Sequence, residues 1–202
     1  MSGAAVTAYK FLARGGLGPI TRVPWPWSGQ APGPWLESSG PVALCRSGIH
    51  ACTSDHLAYW LHEELWQIEL AGGLTPGPDC VIAPRARLVR KIEAWSEGGG
   101  AQRFAAAVRD HAAAVTGVHP DEAAREFLSG YVADSSWHVV NGQPESPALA
   151  ALCASMAVAK ASELEFRRLP TDEATAAEIL EQAYRQERAW QSRWIVAEMG
   201  LS

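Results

Sequence analysis

The segment from Cys45 to His56 is the part of the chain richest in residues that could do chemistry. His50 and Cys52 lie two positions apart in a short predicted strand, so both side chains would leave the same face, about 7 Å apart. Gly48, just before them, permits a close backbone approach or a positive φ. An imidazole beside a thiol near a helix N-terminus can serve acid–base or nucleophilic catalysis, which makes both residues candidate catalytic residues. The alternative is structural, with Cys52 as a small buried apolar residue and His50 as a hydrogen-bonded core residue.

The same segment contains four side chains of the zinc-ligand type. Cys45, His50, Cys52 and His56 fall within twelve residues, with the spacing C-x4-H-x-C-x3-H. This spacing is not that of a standard zinc knuckle, so we expect no structural metal. The sequence also lacks GxSxG, Walker A and HExxH motifs, and it has no GxGxxG followed by an acidic residue. These absences disfavour elbow-type serine hydrolases, P-loop enzymes and zincins, and we expect no bound cofactor.

Basic and aromatic side chains of the first half are the candidate binding groups. The basic residues are Lys10, Arg14, Arg22 and Arg46. If two of them converge near His50, they could hold an anionic group there; otherwise they are scattered surface charge. We take Lys10 as a candidate substrate-binding residue.

Tryptophans concentrate in one loop of the first half. Trp25, Trp27 and Trp35 lie within eleven residues of a Pro/Gly-rich segment whose prolines exclude a central strand. Tryptophans in such a loop either stack a flat ligand or pack the loop onto its own core. We take Trp25 and Trp27 as candidate substrate-binding residues.

The last predicted helix contributes two further candidates. Trp190 and Trp194 share an apolar stripe onto which Glu187 also falls, and Tyr184 belongs to an adjacent polar–aromatic line. Glu187 could be the buried catalytic partner of a base from the first half, with Tyr184 binding substrate beside it. The alternative is a solvated, salt-bridged helix face.

The amino-acid composition differs between the two halves of the chain, and this difference predicts the elements that position the candidate residues. Residues 1–100 hold 14 of the 18 Gly and 9 of the 13 Pro, whereas residues 101–202 hold 23 Ala against 12 in the first half. Because Gly and Pro mark turns and Ala favours helix, we expect an α+β fold. Its small, mainly antiparallel sheet (residues 1–95) would pack on an Ala-rich helical half (residues 101–202), with Gly98–Gly100 as the link. Burying both apolar faces together predicts a single cooperative unit, 1–202.

Period-two alternation and capping residues predict the individual elements. The predicted strands are 6–13, 41–45, 48–52, 65–70 and 85–95, with a helix from Thr53 or Ser54 to about Glu63. The predicted helices of the second half are 101–116, a second from Pro120 to about Val132, a third from Ser146–Pro147 to about Arg168, and a last one capped by Thr171 and ended by Gly200. Residues 137–140 are expected to be extended.

Several short blocks of the first half carry a family resemblance. They are Tyr9–Leu12, Cys45–Cys52, Tyr59–Leu61, Leu65–Gly72, and Leu88–Lys91 followed by Trp95. On these blocks residues 7–95 resemble a domain family of unknown function found in actinobacterial and phage genomes, and the Ala-rich tail is similar to the segment C-terminal to that domain in actinobacteria. This resemblance implies no established activity.

A second resemblance rests on the order of elements around Gly48 and Tyr59. A strand, a Gly-Ile-aromatic strand, a helix with a Tyr and a further strand are similar to the middle of ADP-ribosyltransferase folds. The resemblance implies that Tyr59 matches the tyrosine that stacks nicotinamide, whereas His50 replaces a Tyr. Lys10 stands where the family has a His or Arg that grips NAD, and Glu69 is not in the place of the late catalytic acid. At most a remodelled NAD-binding site on a related scaffold is implied, with Tyr59 binding the ligand.

Net charge and hydropathy limit the classes of partner and the cellular location that we expect. A net charge of −5 disfavours nucleic acid as a partner and a polybasic membrane-surface role. No run approaches 18 apolar residues, no signal peptide is recognisable, and four Cys are too few for a disulfide scaffold, so we expect a cytoplasmic protein without a membrane partner.

We therefore expect an enzyme of specialised metabolism that acts on a small molecule, with a His-centred acid–base site between sheet and helices. One alternative is a non-catalytic interaction or immunity-type protein whose tryptophan loop is a binding patch. The other is an ADP-ribosyltransferase-like NAD-binding protein. The oligomeric state stays open.

Overall fold

The computed structural model describes residues 5–44, 46–170 and 172–201. The protein is α+β, as the composition predicts: small antiparallel sheets lie in the N-terminal half, and the C-terminal half is helical. The chain divides into two compact units. The first comprises Met1–Gly100 and Val196–Ser202, and the second comprises Ala101–Ile195.

The first unit contains seven strands in the described residues. They are β1 (Val6–Leu12), β2 (Leu36–Glu37), β3 (Ile49–Ala51), β4 (Glu64–Ala71), β5 (Thr75–Pro76), β6 (Val81–Ala83) and β7 (Arg85–Lys91). One sheet has the order β1-β4-β7-β2 and the other has the order β3-β6-β5, and all neighbouring strands are antiparallel. The helices of the chain are α1 (Glu93–Ser96), α2 (Gly100–Gly117), α3 (Glu122–Asn141), α4 (Ser146–Phe166) and α5 (Glu173–Met199).

Alternation in β4 and β7 builds the core of the first unit. Ile68, Leu70 and Leu88 are buried in one apolar cluster, while Glu69 and Arg87 lie opposite each other on the other face. The guanidinium of Arg87 donates to the Glu69 carboxylate at 2.6 Å, which pairs the two charges across the strands. The sheet therefore has an apolar face and a charged face, as the alternation predicts.

A backbone bridge joins β1 to the chain just after β3. The amide of Tyr9 donates to the carbonyl of Cys52, and the amide of Cys52 donates to the carbonyl of Tyr9, both at 2.8 Å. Because β1 pairs with β4 along its other edge, this bridge sets the segment Ile49–Cys52 beside the four-stranded sheet.

Three predicted elements of the first unit differ from the structure in existence, type or length. Residues 41–45 form no strand in their described part; an isolated bridge joins Ala43 to Ser47, and Cys45 lies outside the described residues. The expected helix to Glu63 is a 3₁₀ helix, Ser54–Tyr59, because the chain must extend again to enter β4 at Glu64. The strand predicted to reach Trp95 ends at Lys91, and α1 follows.

The helical unit differs from the predictions at its helix boundaries. Helix α3 begins after Asp121, whose carboxylate accepts from the Ala123 amide at 2.9 Å, and continues to Gly142, whose φ of 66° ends it. Residues 137–140, predicted to be extended, therefore lie within α3. The predicted cap Thr171 lies outside the described residues, whereas Gly200 ends α5 as predicted, with a φ of 60°.

Helix α4 is long and apolar enough to span a membrane by length and composition, the one described helix that meets this test. Within its unit, its small residues accept polar contacts from neighbouring helices. Ser135 donates to the carbonyl of Ala150 at 3.0 Å, and the Gln191 amide donates to the Ser155 hydroxyl at 2.9 Å. These contacts are those of a helix packed among other helices.

Candidate functional site

A cavity of about 700 Å³ opens in the first unit, and all of its lining residues lie between Tyr9 and His62. Its walls come from β1, the loop at residues 18–25, the segment 46–52 and the end of the 3₁₀ helix. A cavity of this size accommodates a small organic molecule. Five of the eight residues proposed for the site line it: Lys10, Trp25, His50, Cys52 and Tyr59.

Lys10 links two walls of the cavity. Its Nζ atom donates to the backbone carbonyl of His50 at 2.6 Å and lies 5.3 Å from the centre of the Trp25 ring, a cation–π distance. The hydrogen bond from Lys10 to His50 depends on the backbone bridge between Tyr9 and Cys52, because that bridge sets β3 beside β1. Burial lowers the pKa of Lys10 from 10.5 to about 8 because an ammonium loses hydration there; the Cys52 and Cys80 sulfurs oppose the shift.

His50 is positioned by β3 and by the glycine before it. Ile49 and Ala51 belong to the apolar core, so the alternation of the strand directs His50 to the opposite face. Gly48 has a φ of 105°, and a β-carbon at this position would lie 2.6 Å from Ile82 Cγ2. Only glycine fits there without strain, and this close approach fixes the backbone that presents the His50 ring.

Cys52 lies on the cavity wall as a protonated thiol. Its side chain is buried, and its Sγ donates to the Tyr9 carbonyl at 3.3 Å. Burial raises the pKa of Cys52 to about 12, with Lys10 opposing that shift. A nucleophilic cysteine needs a thiolate, so the environment favours the structural alternative for Cys52 over a catalytic role.

The tryptophan loop is held by one buried carboxylate. Glu64 accepts from the amides of Gly15 at 3.0 Å and Gly16 at 3.1 Å, and the Gly16 carbonyl in turn accepts from the Trp25 amide at 2.9 Å. This chain of hydrogen bonds brings Trp25 to the cavity. Trp27 does not line the cavity; it packs edge-to-face on Trp66, with ring centroids 5.1 Å apart, which favours the packing interpretation for this residue.

The sequence indicated Arg46 as one of four basic residues, two of which could converge near His50, but it did not indicate Tyr9, Trp60 or His62 as site residues. All four line the cavity. Trp60 is oriented by its indole, which donates to the Asp79 carbonyl at 2.8 Å. The signal that could have found Trp60 and His62 is their place one and three residues after Tyr59, the last residue of the 3₁₀ helix.

Tyr184 and Glu187 do not line this cavity. In the helical unit, the Glu187 carboxylate lies 3.2 Å from His111 Nε2 and accepts from the Gln191 amide at 3.3 Å. Burial raises the pKa of Glu187, with His111 opposing that shift. Arg188 lies over the Tyr184 ring, 5.5 Å from its centre. Glu187 is thus buried, as one sequence interpretation required, and it contacts His111 of α2 and Gln191 of α5.

Among residues 5–44, 46–170 and 172–201, no group of three or more His, Cys, Asp or Glu side chains could hold a metal ion. Of the four zinc-type side chains, Cys45 lies outside these ranges, Cys52 donates its thiol to a carbonyl, and His56 Nδ1 lies 3.1 Å from the Thr53 hydroxyl. The described geometry therefore supplies no metal site.

The chain matches no protein-family model, no curated protein and no solved structure.

Proposed function

We propose that this protein is an enzyme acting on a small organic anion, and that its active site is the cavity lined by residues from the sequence range 9–62. One observation carries this proposal: a lysine ammonium and a histidine converge on a cavity whose described lining contains no Asp or Glu. A substrate class, a binding mode and a proton-transfer group follow from that arrangement.

The charge of the lining supports an anionic ligand. Lys10 and Arg46 are the lysine and arginine of the cavity wall, and they are two of the four dispersed basic residues of the first half. With no carboxylate among the described lining residues to neutralise them, a carboxylate or phosphate of a ligand would supply the missing charge. The same two groups would repel a cation.

The shape of the lining supports a ligand with a flat, apolar part. Trp25, Tyr59 and Trp60 all line the cavity, and aromatic walls bury planar ligands with favourable stacking. Leu36 and Ile49 add apolar surface. A small aromatic or unsaturated acid matches both the charge and the surface.

His50 is the proposed acid–base residue. Its backbone carbonyl is fixed by Lys10, and its strand directs the ring away from the core. An imidazole can both accept and donate a proton, which is the property that general acid–base catalysis needs.

A non-catalytic interaction protein is the second candidate function. The observation that favours it is the exposure of apolar residues in the loop of residues 18–25, which forms one wall of the cavity: Ile20 is 90% exposed and Val23 is 58% exposed. Exposed apolar side chains in one loop are typical of a protein-binding patch.

A ligand panel tests the proposed function. Thermal melting and calorimetric titration with benzoate, phenyl phosphate, neutral benzamide, cationic benzamidine and NAD should show binding of the two organic anions and none of benzamidine. Binding should weaken at least tenfold in Arg46→Gln, whereas the matched control Arg90→Gln, on β7, should bind normally. Selective binding of benzamidine, or equal affinity for all of these compounds, would contradict an anion site.

Catalysis needs a separate readout. The protein is incubated with a metabolite extract, and consumed compounds are identified by mass spectrometry against heat-inactivated protein. His50→Ala should abolish consumption and keep the melting temperature, because the contact with Lys10 uses the backbone carbonyl. His138→Ala, on α3, is the matched control. If no compound is consumed while the anions bind, the interaction or binding-protein alternative is favoured.

A further inference from the structure

Lysine is rare in this chain, and one of the three lysines has unusual surroundings. The sequence contains Lys10, Lys91 and Lys160 against 14 arginines. Lys91 Nζ lies 2.9 Å from the Glu97 carboxylate, and Lys160 Nζ lies 2.6 Å from the Glu163 carboxylate. An ion pair of this kind holds an amine in its protonated, unreactive form.

Lys10 has no carboxylate partner among the described residues. Its Nζ contacts are the carbonyl oxygen of His50 and the ring of Trp25, and both lie at the cavity. At neutral pH the neighbouring Cys52 is a thiol, because burial raises the pKa of that group to about 12, and its charge would favour the ammonium only once it ionises. Of the three lysines, Lys10 is therefore the one whose surroundings tolerate the neutral form best.

The nucleophilic form of a lysine is the free amine. Burial lowers the pKa of Lys10 to about 8, so a larger fraction of the molecules carries a neutral Lys10 at pH 7 than an ordinary lysine would give. A desolvated lysine in an apolar pocket is the arrangement by which enzymes form imines with carbonyl compounds. The cavity provides the room for such a compound beside Nζ.

We infer that Lys10 is a nucleophile that captures an aldehyde or ketone ligand covalently, as an imine, inside the cavity. This inference rests on the proposed function, since the ligand enters the same site, and it narrows the substrate class to organic anions that carry a carbonyl group. Arg46 would bind the anionic group while Lys10 reacts with the carbonyl carbon.

The reaction balances without an oxidant or reductant. The lone pair of neutral Nζ forms a bond to the carbonyl carbon, and the C=O π electrons move to oxygen, which takes up a proton. The nitrogen loses one proton and its lone pair then expels the hydroxyl group, which takes up a second proton and leaves as water; loss of the last nitrogen proton gives the imine, so that a C=N bond replaces C=O and both nitrogen protons are accounted for in the water. His50, on the same wall, is the residue assigned to move these protons.

A structural role for Lys10 is the competing explanation, because its hydrogen bond to His50 ties β3 to β1. The two roles predict different chemistry. A purely structural lysine stays protonated and reacts no faster than Lys91 or Lys160. A nucleophilic lysine reacts first, and a ligand that fills the cavity protects it.

Reductive trapping separates these roles. The full chain is treated at pH 7 with 4-carboxybenzaldehyde and cyanoborohydride, which reduces an imine to a stable amine and adds the mass of the probe less one oxygen atom. Intact mass and peptide mapping should place the adduct on Lys10 at least tenfold faster than on Lys91 or Lys160. Peptide mapping also separates any adduct on the α-amino group of Met1. Benzoate, which has no carbonyl to react, should slow the labelling.

Lys10→Arg, which keeps a cationic donor for the His50 carbonyl, should melt close to the parent chain and lose the fast adduct. Lys91→Arg should keep it. Equal labelling of the three lysines, or fast labelling that survives in Lys10→Arg, would overturn the inference. If benzoate binds but no fast adduct forms, the inference falls and the proposed anion site stands; if neither occurs, both fall.

Discussion

The Nζ atom of Lys10 donates to the backbone carbonyl of His50 at 2.6 Å, across 40 residues of sequence. This contact places the basic group of β1 and the imidazole-bearing strand β3 on one cavity. It uses the backbone carbonyl of His50. The contact also explains why a buried lysine tolerates its position without a carboxylate partner among the described residues, since the carbonyl oxygen satisfies one of its donors.

Gly48→Ala should destabilise the protein. A β-carbon at this position would lie 2.6 Å from Ile82 Cγ2, and the φ of 105° is unfavourable for alanine. We expect a loss of about 2 kcal/mol in the free energy of unfolding, measured by urea denaturation. Gly130→Ala is the matched control. Gly130 lies within α3 with open space around its Cα, so alanine should stabilise the helix by about 1 kcal/mol. Equal stability of Gly48→Ala and the parent chain would show that the strained glycine is not needed.

Glu64→Gln should lower the free energy of unfolding at neutral pH, and this loss should be smaller in acid. Burial opposes ionisation, but hydrogen bonds from the Gly15 amide and the Trp66 indole, together with Lys91, lower the pKa of Glu64 overall. A lowered pKa stabilises the folded state above the pKa of the unfolded chain, and this stabilisation is lost as the pH falls through the folded value. We expect a loss of about 2–3 kcal/mol at pH 7.

The measurement for Glu64 is the urea midpoint of the parent chain and of Glu64→Gln between pH 7 and pH 3. The difference between them should shrink with acidification. Glu37→Gln, which removes an exposed partner of Arg85, serves as the control and should have a small effect at all pH values. A difference that stays constant with pH would contradict the assigned ionisation.

Lys10 should titrate well below the other lysines. With only three lysines, ¹³C-lysine labelling resolves each ε-carbon by NMR, and the Lys10 midpoint is expected at about pH 8. Because the unfolded chain binds a proton at Lys10 up to its ordinary pKa of 10.5, the unfolded state binds more protons between these values, and stability should rise with pH there. Lys10→Met should remove this rise. A Lys10 midpoint near 10.5 would show that the cavity does not desolvate the amine.

The whole chain should unfold in one cooperative transition. Helix α5 is continuous, yet its residues up to Ile195 belong to the helical unit and Val196 onward belongs to the first unit. Met199 and Leu201, both buried, therefore complete the unit that contains the cavity. Calorimetry should give a single peak for residues 1–202, and a chain truncated after Ser96 should melt without cooperativity. A soluble, cooperatively melting fragment of residues 1–96 would refute this prediction.

Local pattern was sufficient to predict much of the fold. The alternation in β1, β4 and β7 and the contrast between Gly/Pro and Ala predicted α+β, because side-chain burial and backbone propensity act over a few residues. The predicted element boundaries were wrong where the next element begins earlier, or the present one continues further, than the local pattern indicates. Glu64 must enter β4, so the helix expected to reach Glu63 stops at Tyr59, and residues 137–140 continue α3 because no breaker stands before Gly142.

The sequence by itself determined that His50 and Cys52 alternate with the apolar residues Ile49 and Ala51 and that Gly48 precedes them, since these are properties of neighbouring residues. Only the tertiary structure decided that Lys10, Trp25 and Arg46 meet His50 at one cavity, and that Glu187 is paired with His111. The physical reason is that contacts between residues far apart in sequence depend on which strands pair and in which register. In this protein the decisive pairing at the cavity is the bridge between Tyr9 and Cys52. Pairing between distant segments is selected by the energy of the whole packed core, which no short stretch of sequence contains.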